Sequence, residues 1–303
     1  MLENVVAVTN GKGGVLKTSI TANVAGVAAA GGWSVLVVDT DPQGNLARDL
    51  GTMDRTDHGA ALVDAVMNSA ELIPVPVRER LDWIPGGERL EDLVAELNRR
   101  ALAGRFSTVL TSLEDVLAPL ASTYDLILID TPPGDAMLQR CTAEAARFAL
   151  VPTAPDEASI DGLNKVAARM IEARQTNPQY DLLGVVLAPV PAGASRVRDE
   201  TRAKLAAELG EQWPVFESTI RFAQRAAIDC RADGRLAIEY EQVAARMKAD
   251  VSVAQRIRDR KAGREVKDFS TAAGGLAGDY EALTNEVLAE FARRRDERSE
   301  VPA

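Results

Sequence analysis

The chain has 303 residues, 46% hydrophobic and 26% charged, a composition that supports a sizeable buried core and excludes a fibrous or disordered protein. A formal net charge of −10 excludes a protein that coats nucleic acid with its whole surface, so any DNA contact must use a local basic patch. The only two cysteines, Cys141 and Cys230, lie far apart and lack C-x-x-C spacing, which excludes a paired-thiol metal or redox motif. No basic region precedes the first apolar stretch, and charges or glycines interrupt every later one. The expected location is therefore the cytoplasm, with no stable membrane association.

In chain order, short β-branched runs at Val5–Thr9, Ser34–Asp39, Leu126–Asp130, Ala149–Pro152 and Leu182–Leu187 alternate with Ala-rich helical stretches. Smaller strands are expected at Leu81–Pro85 and Val215–Glu217. The alternation predicts βαβ units: an α/β fold with a doubly wound, mainly parallel sheet flanked by helices. Leu126 to Ile129 is continuously apolar, as a central strand covered on both faces requires. From about Asp233 strand signals stop, and helices are expected over Glu239–Arg260 and Asp279–Arg295, separated by a stretch that includes Ala272–Gly278. The expected organisation is one α/β domain over residues 1–240, with a helical extension over 241–303 packed on it.

Directly after the first strand comes Gly11-Lys12-Gly13-Gly14-Val15-Leu16-Lys17-Thr18, then the helical stretch Ser19–Ala30. Strand, glycine-rich turn and helix in that order aim backbone N–H groups and a helix N-terminus at one spot, which binds phosphate. Lys17 is placed to lie along the β- and γ-phosphates, and the Thr18 hydroxyl to meet Mg²⁺. Residues 11 to 19, Gly11 through Ser19, are thus the candidate nucleotide loop. The general pattern wants glycine where this chain has Leu16. A branched side chain there restricts the backbone and crowds the nucleotide, which predicts weaker binding or a slightly re-shaped loop.

Lys12-Gly13-Gly14-Val15-Leu16-Lys17-Thr18 resembles the deviant Walker A box, Lys-Gly-Gly-x-Gly-Lys-Thr/Ser, of the ParA/MinD family. The resemblance implies that Lys12 crosses a dimer interface to the phosphates held by the other subunit, so that ATP binding and homodimerisation become one event. Asp39-Thr40-Asp41-Pro42-Gln43-Gly44-Asn45 resembles the family's switch I box. There the aspartate matching Asp41 orients the attacking water, and Asp39 supports the magnesium shell. Leu126–Asp130 followed by Thr131-Pro132-Pro133-Gly134 matches a Walker B strand and switch II turn, with Asp130 on Mg²⁺. Lys12, Lys17 and Asp41 are the candidate catalytic residues, and Thr18, Asp39 and Asp130 the candidate metal residues. Further along, Val151 to Leu163, Gly184–Leu187 and Ile220 to Ala226 resemble later family segments, with Gln224 in place of the usual glutamate.

For partition members the resemblance implies nonspecific DNA binding by the ATP dimer, nucleoid association, and weak ATP turnover stimulated by a ParB-like centromere-binding partner. Candidate DNA contacts are Arg196, Arg198 and Arg221, and a basic run that includes Arg258, Arg260 and Lys261. The rivals are a MinD-like membrane-cycling ATPase using the apolar stripe Tyr280, Leu283, Val287, Leu288 and Phe291, an iron-protein reductase needing paired cysteines, and a nucleotide-sensing pseudo-ATPase in which Leu16 abolishes turnover.

Overall fold

The computed structural model describes residues 1–156, 166–210, 213–250 and 273–299. The chain begins β1 (Leu2–Val8), α1 (Lys17–Ala30), β2 (Val35–Asp39), α2 (Leu46–Leu50) and α3 (Ala60–Asn68). A hairpin of β3 (Val75–Arg78) and β4 (Leu81–Ile84) leads to α4 (Leu90–Leu102), α5 (Phe106–Ala121), β5 (Leu126–Asp130), α6 (Ala136–Ala145) and β6 (Ala146–Thr153). After α7 (residues 166–173) come β7 (Asp181–Val190), α8 (Ser195–Leu209), β8 (Val215–Arg221), α9 (Gln224–Asp233), α10 (Ala237–Asp250) and α11 (Ala273–Ser299).

The eight strands form one sheet in the order β3-β4-β2-β5-β1-β6-β7-β8, parallel except for the edge strand β3. All five residues of β2 and of β5 are buried, because helices cover both faces. One apolar core lies between the sheet and α3 to α8, and the other between the sheet and α1, α2 and α9 to α11. The register sets Val8 opposite Asp130 and Asp39 opposite Asp130, so three central strands deliver their carboxyl ends to one edge. Ligands of open α/β sheets bind at that edge.

The last helix begins earlier than its composition predicts: Ala273 to Gly278 is helical rather than a separator. Each helical glycine costs about 1 kcal/mol relative to alanine. Packing overrides that cost, since Leu276, Ala277, Tyr280, Leu283, Val287 and Phe291 are all buried against the sheet core. Phe291 stacks at a tilt on Trp33 and edge-on to Phe148. The apolar stripe is therefore occupied inside the fold. Among the described residues no helix is long and apolar enough to cross a membrane.

Candidate nucleotide site

The turn after β1 is anchored at its base by Asn10, whose side-chain NH₂ donates to Pro152 O at 2.7 Å while its Oδ1 accepts from Lys12 N at 2.9 Å. Two residues of the loop take left-handed backbone, Gly14 at φ +77° and Leu16 at φ +62°. Leu16 thus adopts the left-handed backbone that glycine favours. Its Ile20 N–H to Leu16 O bond of 2.8 Å starts α1 on the helical register. The cost is backbone strain, about 1–2 kcal/mol for a non-glycine residue in this region. A partly buried side chain packed on the second core offsets some of it. Leu16→Gly should therefore leave the thermal midpoint within a few degrees of the parent. Leu16→Val, with a β-branched residue at positive φ, should lower it clearly in the same melting experiment.

Lys17 opens α1 and is buried, its Nζ 3.3 Å from Lys12 O. Burial depresses its pKa, an effect that Asp130 and Asp41 counter. Thr18 lies close enough to Asp130 to favour its charged form, the Thr21 hydroxyl lies 3.5 Å from Asp130 Oδ1, and the Thr40 hydroxyl donates to Asp130 O at 2.7 Å. Asp41 is buried at the end of β2, where its Oδ1 accepts from Gln43 N at 2.9 Å and its own N–H donates to Asp39 Oδ1 at 2.9 Å. Lys12 differs from the rest. Its side chain is 39% exposed and pairs with Asp156 at 2.8 Å. An exposed pair of this kind contributes about 0–1 kcal/mol, so Lys12 can exchange it for phosphate oxygens at little cost.

Asp39 and Asp130 are paired neighbours in the sheet and almost fully buried, and one oxygen of each, Oδ2, is buried without a hydrogen-bond partner. Burial first, and then mutual repulsion, pushes Asp39 well above the carboxylate range. Burial, with repulsion from Asp41, pushes Asp130 up to about 7 although Thr18 and Lys17 pull it down. Two crowded carboxylates with unused oxygens beside a threonine hydroxyl fit a divalent cation. No cluster of three or more metal-ligating side chains occurs among the described residues. The two unpartnered carboxylate oxygens match Mg²⁺, which keeps waters and uses one or two carboxylates plus substrate phosphates.

The raised carboxyls also set a pH dependence. A carboxyl that holds its proton more tightly when folded makes the folded state lose stability as pH rises, here between roughly pH 4 and the folded value near 7. Without metal and nucleotide, urea unfolding at pH 8 should therefore have a lower midpoint than at pH 5.5. Asp130→Asn should narrow that difference.

Several contributors escape sequence reasoning. A Cβ on Gly86 would stand 2.7 Å from both the carboxyl carbon and the carbonyl oxygen of Asp39, so the bare Gly86-Gly87 turn after β4 lets that carboxylate sit at the sheet edge. The signal was a Gly-Gly pair directly after a strand. Ser19, at the start of α1, donates to Asp49 Oδ2 at 2.8 Å, a contact that no motif announces.

The structure brings Lys12, Lys17, Thr18, Asp39, Asp41 and Asp130 to one edge, and places the candidate DNA contacts elsewhere. Arg196 pairs with Glu200 at 2.7 Å and Arg198 with Asp199 at 2.8 Å, both near the start of α8. Arg221 ends β8 and grips Asp279 of α11 through its side chain and its backbone N–H. Arg258, Arg260 and Lys261 lie outside the described residues. Cys141 and Cys230 are buried free thiols, pushed up to about 12 by burial.

Residues 3–182 match the family described as an AAA domain. The chain is 30% identical over 223 residues to the chromosome-partitioning ATPase Soj of Thermus thermophilus, covering 72% of this chain and 83% of that one. It belongs to the ParA/MinD family of ATPases. A second member, the chromosome partitioning protein ParA of Caulobacter vibrioides, is 29% identical over 267 residues, or 87% of this chain and 97% of the relative. Among solved structures, the cobyrinic acid a,c-diamide synthase of Mycobacterium smegmatis with bound ADP and magnesium superposes with a TM-score of 0.63 at 26% identity, covering 88% of this chain and 99% of that one. The AAA match spans β1 through the start of β7, and so includes all three segments that meet at the sheet edge.

Proposed function

We propose that this ParA/MinD-family ATPase is a DNA-partition switch that binds ATP with Mg²⁺, closes into a homodimer, holds nonspecific DNA as that dimer and is released by hydrolysis. The observation that carries the reading is the pair of lysines in one loop: Lys17 is buried beside Asp130 and Asp41, while Lys12 is exposed and only weakly held. One lysine serves the phosphates of its own subunit. The other is available to a second copy.

Phosphoryl transfer needs positioning and charge stabilisation more than covalent chemistry from the protein. Backbone N–H groups of Gly13 to Thr18 and the α1 N-terminus cradle the phosphates, and Lys17 lies along them. Thr18, Asp39 and Asp130 would hold Mg²⁺, which would neutralise phosphate charge during transfer. Asp41 accepts a hydrogen bond from the attacking water and orients it. Lys12 of the other subunit adds a cation where charge grows in the transition state, the role of a trans cation finger. Turnover by the isolated protein is weak and is stimulated by a ParB-like partner.

The DNA reading is favoured over membrane cycling because the stripe that would enter a bilayer is buried under the sheet. An iron-protein reading has no support from Cys141 and Cys230, whose buried thiols lie in separate parts of the fold. A filter-binding assay on random-sequence duplex DNA, run with ADP, ATP and a slowly hydrolysed analogue alongside anionic liposomes, tests the proposal. Retention of DNA with the analogue but not with ADP supports it. Analogue-dependent capture on liposomes without DNA retention overturns it in favour of membrane cycling.

A further inference from the structure

Asp49 lies on α2, directly after the switch I segment, and is 5% exposed. A carboxylate so buried must be paired, because its desolvation costs several kcal/mol when it is not. Its partners come from two other elements. Ser19 of α1 donates to Oδ2 at 2.8 Å, and Arg231 of α9 donates from Nε to Oδ1 and from Nη2 to Oδ2 at 3.2 Å. Arg231 Nη2 also lies 3.2 Å from Ser19 Oγ, so the three side chains close a triangle.

Two more contacts tie α2 to the same C-terminal block. Gly51 caps α2 at φ +71° and faces Gly234, which caps α9 at φ +61°. A Cβ on Gly51 would stand 2.3 Å from Gly234 O, so the two backbones touch. Arg78 donates to Leu50 O at 3.1 Å while it pairs with Glu239 of α10. Between them, these contacts fix a five-residue helix that begins at Leu46, just beyond Asp41. The Ser19 contact joins it to the residue that follows Thr18.

We propose that Arg231 is a positioning residue for hydrolysis: acting through Asp49, it sets the phosphate loop and the segment carrying Asp41 at one fixed separation. The inference rests on the ATPase reading and adds to it a component from a part of the chain beyond all three nucleotide motifs. Its logic is geometric. Near-attack alignment tolerates little error, and a displacement of about 1 Å from a change remote from the chemistry can cost about 100-fold in rate. Nucleotide affinity depends instead on Lys17 and the backbone N–H groups of Gly13 to Thr18; the triangle reaches the loop only through the side chain of its last residue, Ser19.

The test is single-turnover hydrolysis and ATP binding by Arg231→Ala, Arg231→Lys, Asp49→Asn and the double variant Arg231→Ala/Asp49→Asn, each normalised to its folded fraction. Arg231→Ala should slow hydrolysis about tenfold while the Kd for ATP moves less than about threefold. Arg231→Lys should recover part of the rate by restoring the charge without the bidentate geometry. Because Arg231 and Asp49 act as one unit, the double variant should be no slower than the slower single variant. A parent-like rate in folded Arg231→Ala overturns the proposal, as does a loss of rate matched by an equal loss of ATP affinity. An inactive parent protein would overturn the ATPase reading first, and this inference with it.

Discussion

Lys12→Ala is expected to slow ATP hydrolysis by about 10³-fold, in line with removal of a trans cation finger, while ATP affinity changes little. The affinity is spared because Lys17, the loop backbone and the α1 N-terminus still hold the phosphates of their own subunit. Among the described residues of the isolated chain, the Lys12 ammonium pairs with Asp156 at 2.8 Å rather than with Asp39, Asp41 or Asp130. Loss of a side chain that pairs with an exposed carboxylate would ordinarily cost almost nothing. A large kinetic defect from this substitution therefore requires that the lysine act somewhere other than where the isolated chain places it. Steady-state turnover with a fluorescent ATP titration on the same samples checks both halves, and a rate within tenfold of the parent would remove Lys12 from the mechanism.

Asp41→Ala should abolish measurable turnover and leave the ATP-bound form persistent. Asp41 sits at the carboxyl end of β2, with one carboxylate oxygen already committed to the Gln43 N–H, so the side chain is held in a fixed direction. A fixed acceptor orients a water molecule at no entropic cost at the moment of reaction, a contribution typically of about 10²–10⁴-fold. Removing it leaves the phosphate loop, Lys17 and the metal residues intact, so binding and dimer closure survive. Size-exclusion with light scattering after ATP addition should show dimer that does not decay over hours, whereas the parent dimer decays as ATP is consumed. Normal turnover by Asp41→Ala would show that its role has been assigned wrongly.

The nucleotide site was readable in advance because each of its parts is local. A strand, a glycine turn and a helix start within a few residues of one another fix the direction of the backbone N–H groups, whatever the rest of the chain does. Asp39 and Asp130 were readable as strand-terminal carboxylates, and their meeting follows from β2 and β5 being neighbours in register. The parts that could not be read depend on contacts distant in sequence. Nothing near Asp49 points to Arg231, which meets it across 182 residues. The antiparallel edge strand β3 is four residues long and contains Pro76, which reads as a break rather than as strand. Gly275 counts against a helix locally, yet the helix passes there because the Arg221 guanidinium packs where a side chain would stand. Leu16 shows a different limit. Sequence pattern flagged the substitution, but only the backbone angle shows that Leu16 sits in the left-handed region and carries strain there.

The central claim is that Lys12 works on the nucleotide of another subunit, and mixing two inactive variants tests it most directly. A Lys12→Ala subunit retains Asp41 but lacks its lysine, and an Asp41→Ala subunit retains the lysine but lacks its own water-orienting carboxylate. In a mixed dimer, a lysine acting across the interface completes the site of the Lys12→Ala subunit. Combining the two proteins with ATP should therefore restore hydrolysis that neither shows alone, in proportion to the mixed dimer formed. Mixtures that form dimers yet stay as inactive as their components would contradict the exchange, and leave Lys12 serving only the subunit that carries it.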